Sequence, residues 1–384
     1  MKKTGFVLIL LVSSLLGIQN HPTDLVISRI VSTPLRYPIR FVFIGDSRRS
    51  FNSGDPDADS IFSIARQQID ELGPLFVIHG GDFVQDGYRH EYAHFVSMID
   101  SSSTNILTVR GNHELYADEG PLLYDSIFGE TDYFFDYGRY RFIVLADCQQ
   151  DSLTGNYGHY IDYLVTEEQL SWLESVLADA RTRGLISFVF AHVPPYQPGH
   201  DTTHCLGYSN YYPRPNYEMS HTEQFSNLMA EYGVPIGFFS HQHLYDRHQY
   251  RGVWYIISGG GGAPTYGYIS PPPFGCACHH FLLMELDSTG VIHGKFYRIG
   301  ESGPDSTFNF TIYASGIEEA RRGSNSSKPE FMVLKAGETI KTKGEIYSAA
   351  GRKIGQDGKV RISRPGFYFV VNKNRVIQKI MILP

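Results

Sequence analysis

Cysteine is scarce: four residues in a chain of 384 are too few to staple a small-loop scaffold. A basic excess is missing too. Lys and Arg number 33 against 40 Asp and Glu, giving −7 at neutral pH with no long basic run. A surface that tracks polyphosphate is thereby excluded, and no nucleic-acid partner is expected. Beyond the amino-terminal stretch no apolar run approaches the roughly 20 residues that cross a bilayer, so no membrane span is expected in the mature chain. Hydrophobic material is not short. At 42% of residues it provides for a sizeable core and two or three domains, and disorder of the whole chain is excluded.

Lys2-Lys3, the apolar residues 6–16 and the small or polar residues around Gly17 have the charged, hydrophobic and cleavage regions of a secretory signal, read here as residues 1–20. The protein is therefore expected to be secreted or at the cell surface; an uncleaved anchor is the other reading. In an oxidising compartment Cys205 is expected to pair with Cys276 or Cys278, unless the thiols stay free, whereas Cys148 reads as a buried small residue. The cluster Cys276-Ala277-Cys278-His279-His280 lacks the distant second pair of a structural zinc site.

One design recurs along the chain. Leu75-Phe76-Val77-Ile78-His79-Gly80-Gly81-Asp82 is a short apolar run that stops on glycines and delivers a carboxylate. Such a run reads as a buried strand, and the residue just past its end lies where open α/β sheets keep their ligands. The pattern returns at Phe41-Val42-Phe43-Ile44-Gly45-Asp46, at Ile106-Leu107-Thr108-Val109-Arg110-Gly111-Asn112-His113-Glu114, at Phe188-Val189-Phe190-Ala191-His192 and at Ile236-Gly237-Phe238-Phe239-Ser240-His241-Gln242-His243. A lone buried carboxylate is costly and calls for a cation. Asp, Asn and His without cysteine are oxygen and imidazole donors, suited to iron, manganese or zinc alike. A shared carboxylate, two further oxygen ligands and three imidazoles suit two di- or trivalent ions roughly 3.5–4 Å apart, an arrangement that hydrolyses esters of phosphorus.

Between these strands, residues 60–72, 90–100, 167–180 and 220–232 have helical spacing. The third opens on the capping box Thr166-Glu167-Glu168-Gln169. Residues 24–39 read as a leader, 133–145 and 281–299 as hairpins, and the Tyr-, Pro- and His-rich insertion 194–215 as an active-site rim. The run Gly259-Gly260-Gly261-Gly262-Ala263-Pro264 is followed by no Lys-Ser/Thr pair and is not a P-loop; it is expected to pass close to the metal site.

Gly45-Asp46, Gly81-Asp82, Gly111-Asn112-His113-Glu114, Ala191-His192 with Val193-Pro194-Pro195-Tyr196, and His241-Gln242-His243 resemble, in order and spacing, the motifs of the calcineurin-like metallophosphoesterase superfamily, in particular its purple-acid-phosphatase-like branch. The resemblance implies a four-layer α/β/β/α sandwich over residues 36–300 and hydrolysis of a small phosphate ester by a metal-bound hydroxide. It further implies Asp82 as the bridging ligand, Asp46 and His243 on one metal, and Asn112, His192 and His241 on the other. His113 would protonate the leaving oxygen or steady the phosphate, with Glu114 orienting its ring. Asn112 and Tyr196 would meet the substrate, while Arg48 reads either as a bidentate grip on the phosphate or as a salt bridge to a neighbouring carboxylate. Two departures stand out: Arg48 occupies a place where many members carry a metal-ligating His, and Gln85 one where the purple branch carries Tyr. Arginine cannot ligate a metal, so the first metal is expected to be held less firmly; a tyrosinate–iron centre is not implied.

After a polar linker at 301–327, residues 328–384 contain only short strand-sized runs punctuated by glycine and are expected to form a small β-sandwich-like module. Ile346-Tyr347-Ser348-Ala349-Ala350-Gly351-Arg352-Lys353-Ile354, Pro365-Gly366-Phe367-Tyr368-Phe369-Val370 and Lys379-Ile380-Met381-Ile382-Leu383 resemble the carboxy-terminal sorting domain of type IX secretion cargo, which implies secretion machinery as a partner. An accessory module that binds sugar or protein is the other reading. The rival for the whole chain is a secreted binding or adhesion protein with a degenerate metal site.

Overall fold

Alternate residues of β1 (Ile39–Ile44) enter two different cores. Phe41 and Phe43 join Phe76 and Ile78 of β2 (Phe76–His79) and, from a second sheet, Phe142, Phe188, Phe190 and Phe238. Val42 and Ile44 point the other way, onto Phe62, Ala65 and Ile69 of helix Ala58–Leu72 and Phe95 of helix Arg89–Ile99. A third core lies on the outer face of the second sheet, where Val189 and Phe239 meet Leu173, Val176 and Leu177 of helix Glu167–Thr182 and Phe225 and Met229 of helix Thr222–Glu231. The layers run helix, sheet, sheet, helix, as expected. The computed structural model of the chain describes residues 18, 20–49, 57–156, 158–196, 205–207, 221–266, 270, 272–314, 330–335, 339–348, 353–362, 366–372 and 375–383.

The first sheet has the order β15-β14-β13-β1-β2-β3, with β3 at Asn105–Thr108, β13 at His280–Leu286, β14 at Val291–Arg298 and β15 at Phe310–Tyr313. Strands β1, β2 and β3 run parallel, so their carboxyl ends share one edge. The second sheet has the order β12-β10-β11-β9-β8-β5-β4. Its strands are β4 (Tyr133–Tyr137), β5 (Tyr140–Val144), β8 (Ile186–Phe190), β9 (Ile236–Phe239), β10 (Tyr245–Tyr250), β11 (Val253–Ser258) and β12 (Gly275–Cys276); β5, β8, β9 and β11 are parallel.

Several expectations need correction. The supposed leader holds a helix, Thr23–Ser32, that buries Val26 and Ile30. The supposed linker contributes β15, whose Ile312 lies opposite Ile292 of β14. Residues 148–163 form a separate two-stranded hairpin, β6 (Cys148–Gly155) and β7 (Gly158–Tyr163). Cys276 is joined to Cys278, not to Cys205, which is buried elsewhere; Cys148 is buried as expected.

The chain divides into two units. The second contains strands Glu330–Lys335, Thr339–Ser348, Lys353–Arg361, Gly366–Asn372 and Arg375–Leu383, which among the described residues make a single five-stranded sheet. The signal-like segment, apart from residues 18 and 20, and most of the rim insertion lie outside the described residues. No described helix is long and apolar enough to cross a membrane.

Candidate metal centre

The turns after β1, β2 and β3 carry Asp46, Asp82 and Asn112, and those after β8 and β9 carry His192 and the pair His241 and His243. Three of these residues have left-handed backbones: Asp46 (φ 58°), Asp82 (φ 55°) and His241 (φ 66°). For residues with a Cβ this costs about 1–3 kcal/mol each, and such strain persists where the surroundings over-determine it. Glycines make the approach possible. A Cβ on Gly111 would overlap Asp82 Oδ1, and one on Gly81 would lie 2.6 Å from His192 Nδ1.

Asp82 Oδ1 lies 3.2 Å from His192 Nε2. Asn112 Oδ1 lies 3.1 Å from the same nitrogen and 2.9 Å from His241 Nδ1. Asp82, His192 and His241 are buried and each offers a donor atom within 4.8 Å of the others. Beside them Asp46 Oδ1 and His243 Nε2 stand 3.5 Å apart, buried and without a hydrogen-bond partner among the described residues. Nδ1–H of His192 donates to Gly80 O, and that of His243 to Pro264 O, each at 2.7 Å, so both rings turn Nε2 inward. Buried orphan donors of mixed oxygen and imidazole type fit a divalent cation.

The electrostatics agree. Although burial opposes the charge, Asp82 pushes the His192 pKa up to about 10. Against the same burial, His192 and His113 hold Asp82 well below the usual carboxylate range. Without a metal, that proton sits on the Nε2 facing Asp82, where a cation would take its place, and the ring must lose it to ligate.

Residues 39–245, slightly more than half the chain, match the model described as calcineurin-like phosphoesterase. The chain belongs to that family. Its members are phosphoester hydrolases that use divalent metals. No curated protein matches the chain. Among solved structures, a purple acid phosphatase from yellow lupin (Lupinus luteus) seeds has a TM-score of 0.54 at 17% identity, over 75% of this chain and 56% of the lupin chain. A dimetal phosphatase from Danio rerio has 0.52 at 16% identity, over 73% of this chain and 100% of that one. The structure of PhoD has 0.51 at 12% identity, over 74% and 71%. These likenesses show the fold; the chain spans little more than half of the lupin enzyme.

Within this calcineurin-like domain two expected residues work differently. Glu114 does not orient His113: its carboxylate accepts N–H from Asp82, Phe83, Val84 and Gly111 at 2.7–3.3 Å, while the His113 ring bonds through Nδ1 to Gln85 O. The short helical turn His113–Leu115 buries Glu114 under the Asp82 turn, away from the ring beside it. Burial, then Asp82, pushes its pKa up to about 7. Tyr196 gives its hydroxyl to Glu223 and packs on Tyr250. Tyr250 is at the far end of β10 from His243, and five residues of strand separate Tyr245 from Tyr250 by roughly 17 Å.

Arg48 Nη1 donates to Gln85 Oε1 at 2.6 Å, and its Nε stands 3.9 Å from Asp82 Oδ2. His113 Nε2 is 3.8 Å from the same oxygen, and burial, then Arg48, pushes the His113 pKa down to about 3. Sequence reasoning missed Asp147, which follows β5 as Asp82 follows β2 and accepts N–H from His192 and Val193 at 3.1 and 2.9 Å. It also missed Tyr116, Tyr163 and Tyr266, whose rings lie 4.7, 4.8 and 4.5 Å from those of His113, His241 and His243.

Proposed function

We propose that this protein is an exported hydrolase of small phosphate esters that works with two di- or trivalent ions of iron, manganese or zinc. The convergence of Asp82, Asn112, His192 and His241 beside the orphan pair Asp46 and His243 carries the reading. Asn112, His192 and His241 would hold one ion, Asp46 and His243 the other, and Asp82 both. When bound, such ions lower the pKa of water and offset charge on the phosphoryl oxygens.

The chain's own groups do the rest. Arg48, steadied by Gln85, presents a permanent cation to the phosphate. His113 is neutral as folded, with Nδ1–H committed to Gln85 O; its Nε2 would accept the proton given up by the attacking water and pass it to the leaving oxygen, the phosphate's negative charge favouring the protonated ring. Asp147 and Glu114 fix the turns that carry His192 and Asp82. Export rests on the signal-like residues 1–20, and the role of residues 328–384 in sorting by secretion machinery rests on the motifs given above.

The test is hydrolysis of an aryl phosphomonoester and its diester by the full mature chain, metal-depleted and then resupplied with Mn, Zn or Fe, beside Asp82→Asn. Metal-dependent turnover lost in the variant is the expected result; absence of turnover with every metal on both esters counts against the reading. Mass spectrometry of the protein recovered from the medium checks removal of the amino-terminal segment.

A further inference from the structure

Three tyrosines from separate parts of the chain stand against three imidazoles of the site. Tyr116 leaves the helical turn that carries His113 and meets that ring edge-on, 79° between planes, while Asn112 Nδ2 donates to its hydroxyl at 2.9 Å. Tyr266 follows the glycine run and stacks on His243 with planes 22° apart; its N–H donates to His243 O at 3.0 Å. Tyr163, the last residue of β7, sets its buried ring on His241 at 69°. Tyr116 and Tyr266 are only half-buried. Tyr116 and Tyr163 meet at one place, since Asn112 bonds the Tyr116 hydroxyl through Nδ2 and lies 2.9 Å through Oδ1 from Nδ1 of His241, the ring under Tyr163. Tyr266 joins them through His243, whose Nε2 is 3.5 Å from Asp46 Oδ1.

Resting on the phosphoesterase reading, we propose that Tyr116 and Tyr266 wall the leaving-group subsite and select phosphate esters of a planar aromatic alcohol. The rings lean directly on His113 and His243, next to where the phosphorus is handled. A ring one bond from the ester oxygen therefore reaches them, whereas an aromatic group held behind a sugar would lie further out. Aromatic rings gain from offset or edge contact beyond the area they bury, which separates a phenyl from a cyclohexyl group of like size.

The experiment compares phenylphosphonate with cyclohexylphosphonate, neither of which is cleaved, as competitive inhibitors of metal-loaded full-length protein turning over an aryl phosphate. The expected Ki is roughly three- to tenfold lower for the phenyl compound. The ratio should fall to about one in Tyr116→Leu/Tyr266→Leu and persist in Tyr266→Phe, which keeps the ring. Equal inhibition of the unaltered protein overturns the proposal without any variant, and so does a ratio that survives in the double Leu protein. If no phosphate ester is turned over with any metal, the phosphoesterase reading fails and this proposal falls with it; normal turnover with equal Ki values overturns the aromatic subsite alone.

Discussion

Asp46 Oδ1 and His243 Nε2 face each other across 3.5 Å with no hydrogen-bond partner for either among the described residues. Next to them Asp82, His192, Asn112 and His241 form a fuller cluster. Arg48 Nε lies 3.9 Å from Asp82 Oδ2 and competes with a cation for that shared carboxylate. Opposite charges about 4 Å apart attract by about 4 kcal/mol at an effective dielectric of about 20, so the guanidinium neutralises carboxylate charge that a cation would otherwise draw on.

Metal content is therefore expected to be unequal between the halves. His192→Ala should abolish retention of ions through desalting, whereas His243→Ala should remove only the weaker share. Arg48→His, which trades a fixed cation for a donor, should tighten the weaker position roughly tenfold or more. Elemental analysis after gel filtration and calorimetric titration with Mn measure this. Unchanged retention in Arg48→His would mean that its charge does not govern the second position.

Glu114 accepts four backbone N–H groups while fully buried. Glutamine keeps one oxygen and points an NH₂ at donors. Glu114→Gln is expected to cost about 2–4 kcal/mol, since it leaves buried donors unmet. Chemical denaturation of metal-free protein reads this directly, and a loss below about 0.5 kcal/mol would refute the clamp.

The strands and their terminal Asp, Asn and His were legible because a buried parallel strand is a short apolar run and its end is marked by glycine. Phe41-Val42-Phe43-Ile44-Gly45-Asp46 needed no partner to be read. What tertiary contact decides was not legible. Helix Thr23–Ser32 buries only Thr23, Val26 and Ile30, too few to write a stripe, and β15 is defined by pairing with β14. Glu114 follows His113 in sequence, yet the helical turn sends its carboxylate to four amides instead of the neighbouring ring. Tyr116, Tyr163 and Tyr266 share no spacing that could reveal their common place at the site; Asp147, by contrast, does follow an apolar run.

Gly111 gives a geometric test. A methyl group there would overlap Asp82 Oδ1 and come within 2.9 Å of Asp82 N and His192 Cε1. None of these atoms belongs to a flexible tip, so the Asp82 turn must move. A displacement near 1 Å costs roughly 10²-fold in rate where groups must be aligned. Gly111→Ala is expected to lower kcat/KM by about that factor and to weaken metal retention. An active variant with normal metal content would show that the turn yields without consequence.

Stability should fall in mild acid because two histidines are buried neutral. His280 is fully buried: Nδ1–H donates to Cys278 O at 2.8 Å, Nε2 meets Ser258 Oγ at 3.0 Å, and the ring stacks on Phe296. Burial pushes its pKa down from 6.5 to about 3, and burial, then His192, does the same to His79. Between those values the unfolded chain holds a proton that the folded chain refuses, so stability is full above pH 6.5 and declines as the pH falls towards about 3. Each histidine contributes a slope of up to about 1.4 kcal/mol per pH unit. His280→Gln, which can keep one of the two hydrogen bonds, should remove one such slope while lowering stability at pH 7. Urea midpoints of metal-free protein across this range decide it: an unchanged slope in the variant would mean that His280 takes up its proton without unfolding the sheet around it.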